Sequence, residues 1–200
     1  MTSNLDSIRD AWLTKHDELF EAKTHDAIRL RMHRAFSWLQ IANEFDMPDH
    51  ADSRLVFSWI TFNTLYAKWD SDLSNRESEW QVREAFLKRM VEQDTNGHIQ
   101  KLLLENRKHC DRLLSEEHLI YSYWGNPTED AARKARTKPR KIAKHYHVPE
   151  EVIKVLLPLI RCISMLRSQL VHGMSTYGSS ANRTVVEAGA IVMFDLAMTM

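Results

Sequence analysis

Glycine and proline are both scarce, at 5 each in 200 residues. A sheet protein of this size needs more turn residues and more β-branched runs, so that class is disfavoured. Cysteine is nearly absent: Cys110 and Cys162 stand far apart without CxxC spacing. They read as reduced core or helix residues of a cytosolic protein. No excess of one charge exists, with 27 Lys and Arg against 27 Asp and Glu, so the whole molecule does not attract a polyanion and only local charge can. No apolar run approaches the roughly 18 residues of a membrane span. The opening Met1-Thr2-Ser3-Asn4-Leu5-Asp6 lacks a basic region followed by an apolar one. A soluble, cytoplasmic chain without a membrane partner is expected.

What remains is rich in helix formers. Hydrophobic residues make up 44% and charged residues 27%, ordinary for a folded domain. A chain of this length buries about 70% of its unfolded surface. With no internal repeat, low-complexity tract or linker, the expectation is one all-α domain over residues 1–200, a compact helical bundle.

Ser3-Asn4-Leu5-Asp6 has the form of a helix start, and Ile8, Trp12, Leu19 and Phe20 continue it. Thr24 restarts the pattern through Ile28, Met32, Ala35, Phe36, Leu39 and Phe45 up to the Met47-Pro48-Asp49 break; the two helices can also be read as one. A third helix opens at Ala51-Asp52-Ser53 and runs to Trp69, apolar on most of its circumference, which places it at the bundle centre. Trp59 and Trp69 read as core. Ser74-Asn75-Arg76-Glu77 caps a fourth helix ending at Asn96-Gly97, and another runs from about His98 to Leu114. Leu119 to Trp124 is a short aromatic segment. Thr128-Glu129-Asp130 caps a basic stretch that Pro139 should kink or split. Pro149 starts a long penultimate helix, and Asn182 caps a last one from Thr184.

The penultimate helix ends in Leu166-Arg167-Ser168-Gln169-Leu170-Val171-His172-Gly173. In a straight helix Arg167 and His172 lie ~140° apart, but Gly173 is the usual left-handed terminator and lets His172 swing into the following loop. Ser168 is four residues before His172, placed to orient its imidazole. Arg167 follows Ile163 by four residues, so its stem lies beside the apolar stripe and its guanidinium needs an anion, either a carboxylate or a substrate phosphate. A titratable imidazole suits proton transfer, and a fixed cation suits the charge on a phosphorane. Together they can cleave RNA without a metal, one acid or base per chain, with the second role supplied across a two-fold dimer. In the plainer alternative, Arg167 pairs with an internal carboxylate and His172 is a polar helix-end residue.

This motif, followed by Ser179-Ser180-Ala181-Asn182-Arg183, resembles the C-terminal helix pair of the HEPN domain family. Phe57-Ser58-Trp59-Ile60-Thr61-Phe62-Asn63-Thr64-Leu65-Tyr66 resembles the aromatic central helix of the same proteins. The resemblance covers about 29–200, with 1–28 an N-terminal helix packed on or extending the bundle. It implies a dimeric helical bundle and a metal-independent endoribonuclease of toxin–antitoxin or antiviral-defence systems, with an antitoxin or defence protein as partner. The family's Arg-x4–6-His motif maps onto Arg167 and His172. The position after the arginine is often Asn in the family and is Ser168 here. A subgroup carries Tyr two residues after the histidine, the target of a nucleotidyltransferase; here Met174 stands there, so an antitoxin of that kind is not implied. Other members have lost catalysis and serve as binding or dimerisation modules. That is the rival reading, alongside a nucleotide-binding regulator.

Arg133, Lys134, Arg136, Lys138, Arg140, Lys141 and Lys144 form a run without an acidic residue, either a track for an RNA backbone or a solvated helix face. Asn63 must satisfy its amide, in a structural contact or near Arg167 as a supporting group. Asn182 is first a helix cap and Arg183 first a surface charge, and both reach substrate if the Gly/Ser-rich loop folds over His172. His145 and His147 lack a third ligand at metal spacing, so neither metal nor cofactor is expected.

Overall fold

The computed structural model describes residues 2–21, 26–67 and 78–200. The described residues form ten α-helices joined by turns and 3₁₀ segments: α1 (Thr2–Glu21), α2 (Asp26–Glu44), α3 (Ala51–Tyr66), α4 (Glu79–Gln93), α5 (His98–Glu105), α6 (Arg107–Ser115), α7 (Tyr121–Gly125), α8 (Glu129–Ile142), α9 (Ile153–Val171) and α10 (Arg183–Thr199). No β-strand occurs among them, and none of these helices is long and apolar enough to cross a membrane.

The centre is built by α3, α9 and α10. Leu55, Trp59 and Phe62 of α3, Leu159, Ile160 and Ile163 of α9, and Val192, Met193 and Leu196 of α10 are all almost fully buried. Gly189 permits this closeness. A β-carbon there would stand 2.8 Å from the Leu166 Cδ2 methyl. A smaller cluster of Leu5, Leu39, Ala42, Phe194 and Ala197 fastens α1 and α2 to α10, with Trp12 stacked on Phe36 at 6.4 Å between ring centroids. Whether α1 and α2 run on as one helix turns on residues 22–25, outside the described residues.

Local chemistry sets the helix ends. Ser78 and Gln81 form a reciprocal capping box on α4; the cap expected at Ser74-Asn75-Arg76-Glu77 and the core role of Trp69 lie outside the described residues. The Asp94 carboxylate accepts the His98 and Ile99 N–H groups at 2.9 and 2.7 Å and starts α5. The Thr128 hydroxyl accepts from Ala131 N–H at 3.2 Å and starts α8.

Several boundaries differ from the sequence reading. The third helix stops at Tyr66, with Ala67 extended as its C-cap, short of Trp69, and α4 ends at Gln93, before Asn96-Gly97. The helix from His98 to Leu114 is two helices broken at Asn106, whose amide donates to the Leu102 carbonyl at 3.2 Å and to Asp195 of α10 at 3.0 Å. Pro149 heads a 3₁₀ turn, and α9 starts only at Ile153. Pro139 does not split α8, which continues to Ile142 before tightening into a 3₁₀ turn over Ala143–His147. Cys110 and Cys162 are free and buried; burial pushes their thiols up to about 12 and about 11.

Candidate functional site

The end of α9 is a Schellman motif. His172 takes the C-cap position at φ −92°, ψ 11°, and Gly173 follows at φ 70°. Gly173 N–H donates to the Leu170 carbonyl at 3.3 Å, and Met174 N–H to the Gln169 carbonyl at 2.8 Å. Glycine is favoured because an L side chain is strained at that φ. The stop leaves His172 exposed. Among the described residues its imidazole makes no hydrogen bond or ion pair.

Arg167 is half-buried and lies against the bundle. Its guanidinium lies over the Trp59 ring, 5.1 Å from the centroid, and its Nε is buried without a hydrogen-bond partner. No carboxylate pairs with it among the described residues. The buried Trp59 ring faces a second cation, Arg83 of α4, at 4.8 Å.

Arg83 is only 4% exposed, and its donors are used. Its Nε donates to the Tyr66 hydroxyl at 2.9 Å, one terminal nitrogen donates to Ser164 at 3.3 Å, and the other to Glu79. The Tyr66 hydroxyl in turn donates to the Asn63 side-chain oxygen at 2.6 Å. Burial pushes the Tyr66 hydroxyl above its ordinary value, against the pull of the Arg83 hydrogen bond and the Arg167 charge. The Asn63 side-chain oxygen thus finds its partner in Tyr66, which links it to Arg83. Two arginines share one indole, and among the described residues Arg83 alone of the two pairs with a carboxylate.

Ser168 turns to a third side. No hydrogen bond joins it to His172 among the described residues. It lines a groove of ≈ 760 Å³ between α9, α8, α4 and the start of α7, with Trp80, Tyr121, Lys138, Arg161 and Ser164. Arg161 lies over the Trp80 ring at 4.0 Å.

The loop after Gly173 is fastened at its far end. Asn182 donates to the Ser175 hydroxyl at 2.8 Å, and its backbone carbonyl, not its side chain, receives the first N–H groups of α10, from Val185 and Val186. Arg183 is not a surface charge. It pairs with the buried Asp52 at 2.5 Å and with Glu187 at 3.2 Å, and it donates to the Pro48 carbonyl. Tyr177 reaches the turn before α3, where its hydroxyl sits 3.3 Å from His50 Nδ1. The Gln169 amide donates to the His118 carbonyl at 2.8 Å. The loop therefore packs along α9 and α3 and leaves His172 uncovered.

The basic stretch is half neutralised. Asp130 pairs with Arg133 at 2.5 Å and Lys134 at 2.7 Å, and Arg136 pairs with Glu117 at 2.9 Å and with Glu129. Such exposed pairs contribute under about 1 kcal/mol each. Lys138, Arg140, Lys141 and Lys144 carry no carboxylate partner among the described residues. His145 contacts Glu151 at 2.6 Å, and no group of three or more potential metal-binding side chains occurs among the described residues.

Arg83 and Arg161 were not singled out in the sequence, yet each left a signal. Arg83 falls on the apolar stripe of its helix, three residues after Trp80 and four before Leu87, where a charge has to be buried. Arg161, Ser164 and Ser168 recur at i, i+3 and i+7, one polar face on a largely apolar helix. Compared with known proteins, the chain matches no family model, no curated protein and no solved structure.

Proposed function

We propose that the protein is a HEPN-like bundle acting as a homodimeric, metal-independent endoribonuclease in the cytoplasm, of the kind found in toxin–antitoxin and antiviral-defence systems. The RNA 2′-oxygen attacks the adjacent phosphorus and the 5′-oxygen leaves, giving a 2′,3′-cyclic phosphate and a 5′-hydroxyl end. His172 takes the proton from the 2′-hydroxyl or gives one to the leaving oxygen, and Arg167 stabilises the phosphorane. One histidine fills one of these roles, so a second chain supplies the other. Ser168 orients His172 when RNA is bound, the basic stretch from Arg133 to Lys144 holds RNA, and an antitoxin or defence protein controls the enzyme.

The observation that carries this reading is a cation without a carboxylate partner among the described residues. Arg167 is held over Trp59 with a buried, unpartnered Nε and no carboxylate among the described residues. Leaving such a donor unmet costs about 1–3 kcal/mol; the Nε is covered, so a phosphate oxygen meets this guanidinium only when the Arg167 side chain turns outward. An exposed imidazole stands five residues further on, at the helix end.

One observation favours a binding module without turnover: Ser168 and His172 are not hydrogen-bonded, and Arg167 and Ser168 serve different sides of α9. The two readings separate when purified protein is incubated with total RNA in EDTA, beside the His172→Ala variant. The nuclease reading expects cleavage by wild type alone, with fold and oligomeric state unchanged in the variant. Equal cutting by both would remove His172 from the chemistry, and no cutting by either favours the binding module.

A further inference from the structure

Beside the Arg167 turn, the groove that holds Trp80, Tyr121, Lys138, Arg161, Ser164 and Ser168 also carries apolar side chains, Met165 among them. It presents two cations, three hydroxyls and two aromatic rings, and no carboxylate among its described lining residues. Tyr121 is 81% exposed, a large ring left at the rim with nothing packed on most of it. Ser164 accepts its hydrogen bond from Arg83 at 3.3 Å, so its own hydroxyl proton remains available to a ligand. Glu84, the carboxylate that interacts with Arg161, is already held by Lys88 at 2.8 Å and by the Trp80 indole N–H at 2.9 Å. Lys138 comes from the basic helix and Arg161 from the motif helix, so the groove joins the two regions read separately in the sequence.

We infer that this groove binds one unstacked nucleotide of single-stranded RNA, its base on Tyr121 and its flanking phosphates on Arg161 and Lys138, with the Ser164 hydroxyl donating to a phosphate oxygen. Tyr121 is the selective element, because a base must leave its duplex stack to lie on an aromatic ring. The arginine and lysine supply charge without sequence preference. The groove lies on the Ser168 side of α9, apart from the Arg167 side. This assignment rests on the RNA reading above, but it concerns binding and can be measured without turnover.

The experiment is fluorescence anisotropy of a labelled oligouridine with the His172→Ala chain in EDTA, at several salt concentrations. Tyr121→Ala is expected to weaken binding about 5- to 100-fold, the range of one base–aromatic stack, and Tyr121→Phe to restore it. The Arg161→Ala/Lys138→Ala double variant is expected to flatten the slope of log affinity against log salt by about 1.4, for two phosphates on a single strand. Unchanged affinity in Tyr121→Ala, an unchanged salt slope, or equal binding of duplex RNA overturns the assignment. Failure of the nuclease reading looks different: wild type leaves RNA intact while these binding losses persist. Wild type that cuts RNA while the groove variants bind normally sinks the groove alone.

Discussion

Replacing Gly189 with alanine sets two known quantities against each other. Alanine in a helix interior is favoured over glycine by about 1 kcal/mol. Against that, the new β-carbon would stand 2.8 Å from Leu166 Cδ2, and 3.5 and 3.6 Å from the two Leu55 methyls. The Leu55 contacts are ordinary; the Leu166 contact is not. Leu166 is 1% exposed and Leu55 fully buried, so the methyl has no open space to turn into, and α9 and α10 must separate by a few tenths of an ångström. Overpacking of this kind costs about 1–3 kcal/mol, leaving a net loss of about 1 kcal/mol, or a Tm lowered by about 2–4 °C at this chain length. Thermal and urea unfolding of Gly189→Ala measures the net effect. The Leu166→Ala background tests the cause: there the second substitution becomes neutral or stabilising, a coupling of about 1–2 kcal/mol. A rise in Tm for Gly189→Ala in the wild-type background would refute the close approach, since helix propensity alone would then account for the result.

Gly173→Ala meets no neighbouring atom, so its effect is the backbone strain at φ 70° alone; a loss of about 1–2 kcal/mol in urea unfolding is expected, and no loss would mean that α9 does not end in a left-handed residue. Asp52→Ala leaves Arg183 with Glu187 and the Pro48 carbonyl; the expected loss is about 2–3 kcal/mol, below that of a buried pair broken outright, and Arg183→Met in the Asp52→Ala background should add little further. Lys154 first, and then His145, hold the Glu151 carboxyl down at about 2. Because this folded value lies below the ordinary one, the pair's contribution is present above about pH 4.5 and lost as pH falls toward 2. The Tm difference between wild type and Glu151→Gln should therefore close across that window, and a difference that persists at pH 2 would contradict the pairing.

The helical class was legible because it follows from composition and 3.6-residue periodicity, both local properties. The stop at Gly173 was legible for the same reason: a glycine after an apolar stripe has few other uses. The Asn106 break was not legible. Its amide is held by Asp195, 89 residues away in the chain, and the leucines on both sides keep helical spacing across the gap. Arg183 was misjudged as a surface charge for a related reason, since Asp52 is 131 residues distant. Periodicity gives the direction of Arg167 but not its surroundings. The spacing from Ile163 set its stem toward the apolar face, whereas Trp59 beneath it and Arg83 sharing the ring come from two other helices.

The central claim is that His172 and Arg167 cut RNA by internal attack of the 2′-hydroxyl. The most direct measurement is analysis of the ends left when wild type cuts RNA in EDTA, with His172→Ala alongside. The account predicts 2′,3′-cyclic phosphate and 5′-hydroxyl ends from wild type and intact RNA from the variant. Ends carrying a 3′-hydroxyl, or the same products from both proteins, would contradict it.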